Sequence, residues 1–416
     1  MHVWIIEATE PLPFIDTNYR DFRCGILAQE LVARGHAVIW WTSTFDHFTK
    51  RHRFSPRVIE VLPGLQIIFL YGPGYGRNNS PKRFLHHRVV ARNFFQEAAA
   101  CNKPDIVFCC LPTLELAEQA VIYGQRNGVP VLIDVRDLWP DHYLTLVPQR
   151  LRSLFRLVIF SEFHRARRLL KAATGITAIS NTFLDWALKH AGRTRRQTDG
   201  VFPIGYPCVL SSLETQIAAK REELVSLYKL RPEDLIVTFV GTFSLSFDLE
   251  TVIEAARILD QAEHDDIKFV FVGDGGNSPQ LRARARGLGN AIFTGWFDQV
   301  SILAMLSLSS VGLAPYRNDA SMSLPNKPFE YMAAGLPILS SLRGELATLI
   351  HEEQIGLQYQ AGNVASLIEK IRWLAANPDA RREMGMRARK LFEERFSAEV
   401  IYPRLVRHLE GVARRE

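Results

Sequence analysis

The chain has no stretch of ~20 consecutive apolar residues, the length a helix needs to span a bilayer. Its opening residues, MHVWIIEATE, hold no basic cluster and meet Glu7 at once, which argues against a secretory leader. Cysteine is scarce. The five residues Cys24, Cys101, Cys109, Cys110 and Cys208 are odd in number and form no CxxC pair. Cys109 and Cys110 adjoin in an apolar strand, where neighbours point to opposite faces, so all five are read as reduced residues of a cytoplasmic protein. The Gly273–Gly276 turn lacks both GxGxxG spacing and a following Lys-Ser/Thr, which excludes a phosphate loop of the ATPase kind. No DxD pair stands at a strand end, so no metal site is expected. The formal charge of +6 comes from scattered basic residues without a reader motif, which argues against nucleic acid.

What is present is a globular composition, 47% hydrophobic and 23% charged, in 416 residues. That length suits two domains of roughly 200 residues each. Apolar, β-rich runs at Val3–Ile6, Ala37–Thr42, Leu65–Tyr71, Asp105–Cys110, Pro130–Val135 and Gly175–Ile179 alternate with amphipathic segments such as Phe22–Arg34 and Thr113–Asn127. A second series follows at Leu235–Gly241, Ile267–Val272, Ala291–Thr294, Val311–Pro315, Pro337–Ser341 and Gly356–Tyr359. Between them, Val201–Ser212 carries Pro203, Gly205 and Pro207 and reads as a hinge, followed by a helix over Glu214–Leu230. The pattern predicts an α/β protein of two doubly wound, Rossmann-like domains facing across a cleft, with chemistry in the loops at the carboxyl ends of the strands.

The most informative of those loops runs from Ser321 to Pro337. It is a turn-rich segment that enters a short helix and then a Gly-Leu-Pro step into a buried strand. Amide groups at a helix N-terminus favour an anion, and Lys327 adds a full positive charge there. Glu330 follows one turn later, placed as a bidentate acceptor for two hydroxyl groups. The plain alternative is an i,i+3 surface pair of Lys327 with Glu330.

These residues carry a resemblance. PNKPFEYMAAGLPILSS, from Pro325 to Ser341, resembles the nucleotide-sugar site of retaining glycosyltransferases of family 4, which have the GT-B fold. Leu27–Ser43, Gly175–Gly192 and Val201–Pro207 resemble parts of that family's N-terminal domain. DVRDLWPD, from Asp134 to Asp141, resembles a loop of members that build bacterial surface polysaccharides such as lipopolysaccharide. Ile236–Ala256, Phe269–Gly276 and Ala291–Trp296 are similar to the first three strands of its C-terminal domain.

The resemblance implies an acceptor-side domain over residues 1–205, a nucleotide-sugar domain over 206–390, and a last helix, 391–416, packing back on the first. It implies that Glu330 grips the donor ribose. Asn326, Ser323, Leu324 and Pro325 would line the donor beside Lys327, and a Glu eight residues before Glu330 would meet the transferred sugar. Met322 stands in that place, so either the loop's backbone amides take over the contact or the sugar lacks the hydroxyl, as a deoxy or N-acetylated sugar would. An Arg and a Lys common in the family are replaced by Thr242 and Phe247, which shifts diphosphate binding to Lys327 and Arg317, with Arg343 a weaker candidate. Gly25 is the nearest match to a glycine near the donor phosphates, and Trp296 is a candidate for stacking near the base.

In the first domain, Asp134, Arg136 and Asp137 end a strand and are the candidate catalytic residues. The plain alternative is an Asp134–Arg136 salt bridge with Asp137 as a helix cap. Arg20, Arg23, His47 and His142 are candidates for the acceptor side, His47 within a basic segment, Thr44–Arg53, read as a loop. Arg150–Lys171 has apolar residues at helical spacing (Leu151, Leu154, Phe155, Val158, Ile159, Phe163, Ala166 and Leu170) among seven basic residues and one Glu. Core packing and contact with an anionic membrane both fit that pattern.

The resemblance therefore implies a metal-independent, retaining transfer from a nucleotide-sugar donor, UDP-linked by preference, to a glycan or polyprenyl-linked acceptor at the inner face of the membrane. A nucleotide-sugar 2-epimerase and a decayed binding protein share the frame and remain alternatives.

Overall fold

The structure is a computed structural model that describes residues 1–12, 22–53, 58–78, 80–208, 213–262, 266–320 and 322–415. The chain forms two units, Met1–Pro203 with Ile401–Glu416, and Ile204–Val400. The change of unit falls inside the last helix, Ala398–Ala413, at Ile401 and not at the expected residue 391.

Unit 1 is built on an eight-stranded sheet in the order Gly200–Val201, Gly175–Ala178, Val131–Val135, Ile106–Leu111, His2–Ile6, Ala37–Ser43, Leu65–Leu70, Val58–Leu62. Every pairing is parallel except the last. Central strands such as Ile106–Leu111 are buried at every position because helices cover both faces, which is why they read as unbroken apolar runs. Trp4 holds the covering helices by its ring contacts, 5.0 Å from Trp41 and 4.8 Å from Tyr123, with Phe94 5.1 Å from Trp41. All five cysteines are free, and the thiols of Cys24 and Cys110 lie 3.4 Å apart.

The first helix, Arg23–Ala33, is tied to the sheet by a buried ion pair. Arg23 donates through Nε and Nη2 to the two oxygens of Asp134 at 2.8 and 2.9 Å, and through Nη1 to the Pro203 carbonyl at 3.0 Å. Thr177 donates to the same carboxylate at 2.7 Å. Burial alone would raise the Asp134 pKa, but Arg23 and then Arg136 outweigh it and hold the carboxyl below the ordinary aspartate value.

Arg150–Lys171 is not one helix. It divides into a 3-10 turn at Gln149–Leu151, a helix Arg152–Val158 and a helix Phe160–Ala172. The break at Ile159, with φ −100° and ψ 23°, turns the apolar stripe. Phe163, Ala166 and Leu170 reach the core, whereas Leu151, Leu154 and Val158 stay exposed. Thr44–Arg53 holds a small antiparallel pair, Phe45–Asp46 with Arg51–His52, where a loop was expected. No helix among the described residues is long and apolar enough to cross a membrane.

Unit 2 has six parallel strands in the order Ala291–Gly295, Ile267–Val272, Leu235–Val240, Val311–Ala314, Ile338–Ser340, Gly356–Gln358. Alternation divides its core. Leu235, Val237 and Phe239 face the helices Leu249–Gln261 and Val364–Ala376, and Ile236 and Val240 face Asn326–Ala333 and Pro378–Leu391. Asp248, Asp298 and Asn363 cap helices by accepting from Thr251, Ser301 and Ser366 amides. Strand order reverses between Leu235–Val240 and Val311–Ala314, which opens a crevice at their carboxyl ends.

Asp134→Asn leaves Arg23 as a buried charge without its counter-ion and should destabilise the protein by about 3–5 kcal/mol in urea denaturation. The pair's contribution is complete above the unfolded carboxyl value of ~4 and is lost as pH falls below it. The gap between wild type and variant should therefore close in acid.

Candidate functional site

Of the donor-side candidates, Asn326, Lys327 and Glu330 stand on the helix that begins at the crevice of unit 2. Strand Leu235–Val240 ends in Gly241, whose φ of +140° favours glycine. A Cβ there would lie 1.9 Å from Lys327 Nζ, so the ammonium rests on the bare α-carbon. The rings of Phe247 and Phe239 stand 4.5 and 4.9 Å from Nζ, placing two aromatic faces around the cation. Phe247, where the resembling family has a lysine, thus forms part of the wall that positions Lys327.

Lys327 is held there by the helix Asn326–Ala333, which starts after Pro325. The helix is anchored by Tyr331, a residue not singled out from the sequence. Its hydroxyl donates to the Leu313 carbonyl at 2.9 Å and accepts the Val240 amide at 3.1 Å, bridging the two strands that flank the crevice. Gly312 makes room for it, since a Cβ there would lie 2.3 Å from the Tyr331 ring. Glu330 is buried at 7% exposure on the same helix. Ser323 donates to Glu345 at 2.9 Å. The side-chain oxygen of Asn326 is buried and accepts no hydrogen bond from the described residues.

The neighbouring strand ends are closed backbone to backbone. Gly273 donates to the Gly295 carbonyl at 2.8 Å, and a Cβ on Gly273 would meet the Gly241 oxygen at 2.2 Å. Asp274 accepts from the Gly275 amide and the Ser278 hydroxyl, which makes Gly273–Gly276 a self-satisfied turn. Thr242 follows Gly241 and is exposed. Leu324 and Pro325 are half-buried, and Met322 is exposed at the loop's start. Arg317 is exposed beyond Val311–Ala314 with Asp319 3.7 Å away, and Arg343 is also exposed. Trp296 is 65% exposed at the end of the edge strand Ala291–Gly295, with another strand between it and Gly241.

Unit 1 gathers its candidates differently. Asp134 is wholly buried and joined to Arg23, not chiefly to Arg136, whose Nε is 3.9 Å away. Arg136 instead donates to Glu10 at 2.7 Å and lies 3.6 Å from Glu7. Glu10 also accepts the Cys24 and Gly25 amides at 2.7 and 3.2 Å, so the end of the first helix is capped by a carboxylate of the chain itself. Burial pushes Glu10 up to about 7, against the opposing pull of Arg136. Arg23, Asp134, Arg136 and Gly25, read from the sequence as acceptor, catalytic and donor residues, are therefore joined in a network that fixes the first helix to the sheet. Glu7, Glu10 and Thr177 take part in it as well, none of them singled out from the sequence, where the one signal for the two glutamates is a pair of acids after the first strand.

Asp137 is half-buried, accepting from the Leu138 amide at 2.8 Å and Trp139 Nε1 at 3.1 Å. It does not cap a helix. His142 is half-buried nearby, with Nδ1 unpaired among the described residues. His47 is 2.5 Å from the Tyr75 hydroxyl and is pushed down to about 4 by burial, then by Lys50 and Arg83. Arg20 lies outside the described residues. Among the described residues no group of three or more His, Cys, Asp or Glu is placed to hold a metal ion.

Comparison with known proteins bears on this arrangement. Residues 220–391 match the family model described as glycosyl transferases group 1. The D-rhamnosyltransferase WbpZ of Pseudomonas aeruginosa is 27% identical over 264 residues, 62% of this chain and 63% of that protein. A phosphatidyl-myo-inositol mannosyltransferase of Mycobacterium leprae is 30% identical over 150 residues, 36% of this chain and 39% of that one. The matched region thus spans less than two thirds of these relatives. Among solved structures, sucrose-phosphate synthase of Thermosynechococcus elongatus superposes with a TM-score of 0.75 at 18% identity, covering 100% of both chains. Anabaena HepE in complex with UDP and glucose gives a TM-score of 0.66 at 14% identity, covering 99% of this chain and 100% of that one. At such identities these likenesses establish the α/β GT-B fold.

Tyr331→Phe removes a hydroxyl that serves two buried backbone groups and should cost about 1–3 kcal/mol in thermal or urea unfolding. Gly241→Ala leaves no room for Lys327 Nζ. It should displace the ammonium, visible as an altered position of Lys327 in a crystal structure of the variant.

Proposed function

From a group 1 glycosyl transferase domain within a GT-B frame, we propose that the protein is a glycosyltransferase that uses this crevice for a nucleotide-sugar donor. The observation that carries the reading is the placement of Lys327 on Gly241 at the head of a helix, in the crevice where the strand order reverses. A departing nucleoside diphosphate gathers negative charge as the glycosidic bond breaks. A fixed ammonium and helix amides stabilise that charge without reorganising, which is often the largest catalytic contribution. Lys327 then serves where other enzymes use a divalent cation, and turnover proceeds without metal. Glu330, on the same helix, takes the ribose hydroxyls.

The transfer retains the donor's anomeric configuration and draws on a UDP-linked sugar. The family resemblance supports the first, and the UDP complexes of HepE support the second. Met322 in place of an acid fits a sugar without the hydroxyl an acid would bind. Rhamnose is a deoxy sugar, so the likeness to a D-rhamnosyltransferase supports the same reading. The acceptor is a glycan or polyprenyl-linked glycan of a surface polysaccharide, met at the inner face of the cytoplasmic membrane.

Thermal unfolding with UDP, GDP, ADP and dTDP tests the donor site. A nucleotide at 100 times its dissociation constant adds ~2.7 kcal/mol to stability. UDP should raise the melting temperature of wild type and fail with Lys327→Ala and Glu330→Ala. A response to another diphosphate alone would change the donor base, and none to any would point to a decayed enzyme. Turnover should survive EDTA, and product formed from nucleotide sugar without acceptor would replace the transferase with an epimerase.

A further inference from the structure

The helix Arg152–Val158 of unit 1 buries none of its residues. Leu151, Leu154, Leu157, Val158 and Phe160 are between 45% and 72% exposed, five large apolar side chains within ten residues. Patches of this kind on a soluble surface mark a contact with something else. The charges around them are mostly basic, although Arg168 is paired with Glu118. Arg150, Arg156, Arg167, Arg168 and Lys171 are exposed, while the sole acid between residues 147 and 172, Glu162, is buried and engaged by Arg165 at 2.7 Å.

Beside this patch lies a pocket of about 470 Å³ walled by Arg156, Phe160, His164, Arg167, Trp186 and Lys189. Its one acidic wall residue, Asp141, is already committed to Trp186 Nε1 and His190 Nε2, both at 2.9 Å. Those partners and Arg156 hold Asp141 below the ordinary aspartate value, against the effect of its burial. The Arg156 guanidinium lies 4.4 Å from the Phe163 ring, so the exposed helix itself supplies a cation to the pocket. The pocket is thus cationic and aromatic, and it adjoins an apolar helix.

We propose that this surface docks on an anionic bilayer. Leu154, Leu157, Val158 and Phe160 enter the interfacial layer, and the pocket takes the phosphate of a lipid headgroup through Arg156, Arg167 and Lys189. A short helix whose apolar residues point outward amid basic neighbours suits that interface, where charge attracts and apolar area holds. The proposal gives the membrane-side acceptor reading a physical anchor and rests on it for its purpose, but it draws nothing from the donor crevice.

The test is co-sedimentation of the full chain with vesicles of phosphatidylcholine alone or mixed with phosphatidylglycerol. Wild type should bind only the anionic vesicles, less tightly as salt rises. Each of Arg156→Ala, Arg167→Ala and Lys189→Ala should weaken binding about fivefold. Leu154→Ser with Leu157→Ser, at exposed positions that leave the fold intact, should release the protein at physiological salt. Lys327→Ala should bind vesicles as wild type does while losing its nucleotide response. Absence of wild-type binding, or binding indifferent to Leu154 and Leu157, overturns the proposal. So does stabilisation by inorganic phosphate without vesicle binding, which would assign the pocket to a soluble anion. A nucleotide response that persists without vesicle binding leaves the transferase reading standing.

Discussion

An ammonium group can stand over the end of a β-strand only if the strand's last residue offers no side chain in its way. That constraint links Gly241 to Lys327, and much of unit 2 follows from it. The strand order must reverse beside Gly241 so that a crevice exists, and a helix must begin there so that its amides face the same space. Tyr331 then keeps the helix seated by bonding to both flanking strands, which in turn requires glycine at 312. Phe239 and Phe247 complete the setting. The two departures from the family pattern have different physical content. Phe247 borders the cation, whereas Thr242 leaves an exposed position uncharged.

Unit 1 rests on a constraint of another kind. Two arginines and three carboxylates are gathered at the strand ends below the first helix, and the chain tolerates their burial because they satisfy one another. Glu10 lies where an external anion would otherwise meet the amides of Cys24 and Gly25. The helix end is thereby self-neutralised, in contrast to the Asn326 helix, whose first turn presents a cation.

Much of the fold was legible because parallel strands buried on both faces leave continuous apolar runs, as in Ile106–Leu111 and Leu235–Val240. The edge strand Val58–Leu62 escaped notice because its alternately exposed residues and Glu60 read as surface. That Lys327 and Glu330 share one short helix after a turn-rich loop was legible from local order along the chain. The role of Asp134 was not, since sequence spacing offered Arg136 and the true partner, Arg23, lies 111 positions away. Phe247 was legible only as a departure from the family pattern, not as a wall around Lys327, and Gly312 carried no signal, for it matters only through a side chain brought to it by folding. The stripe from Leu151 to Leu170 suggested one helix, and the break at Ile159 decided which half reached the core.

The last helix begins in unit 2 and ends in unit 1, where Leu405, Val406 and Leu409 are fully buried and Glu410 bonds His36 at 2.9 Å. During synthesis, residues 1–203 therefore emerge from the ribosome long before the segment that completes their core. Unit 2, continuous from Ile204 to Val400, can close first, although it is made second. The nascent first half must wait with an apolar face uncovered, a window in which a holding chaperone would have a defined surface to protect.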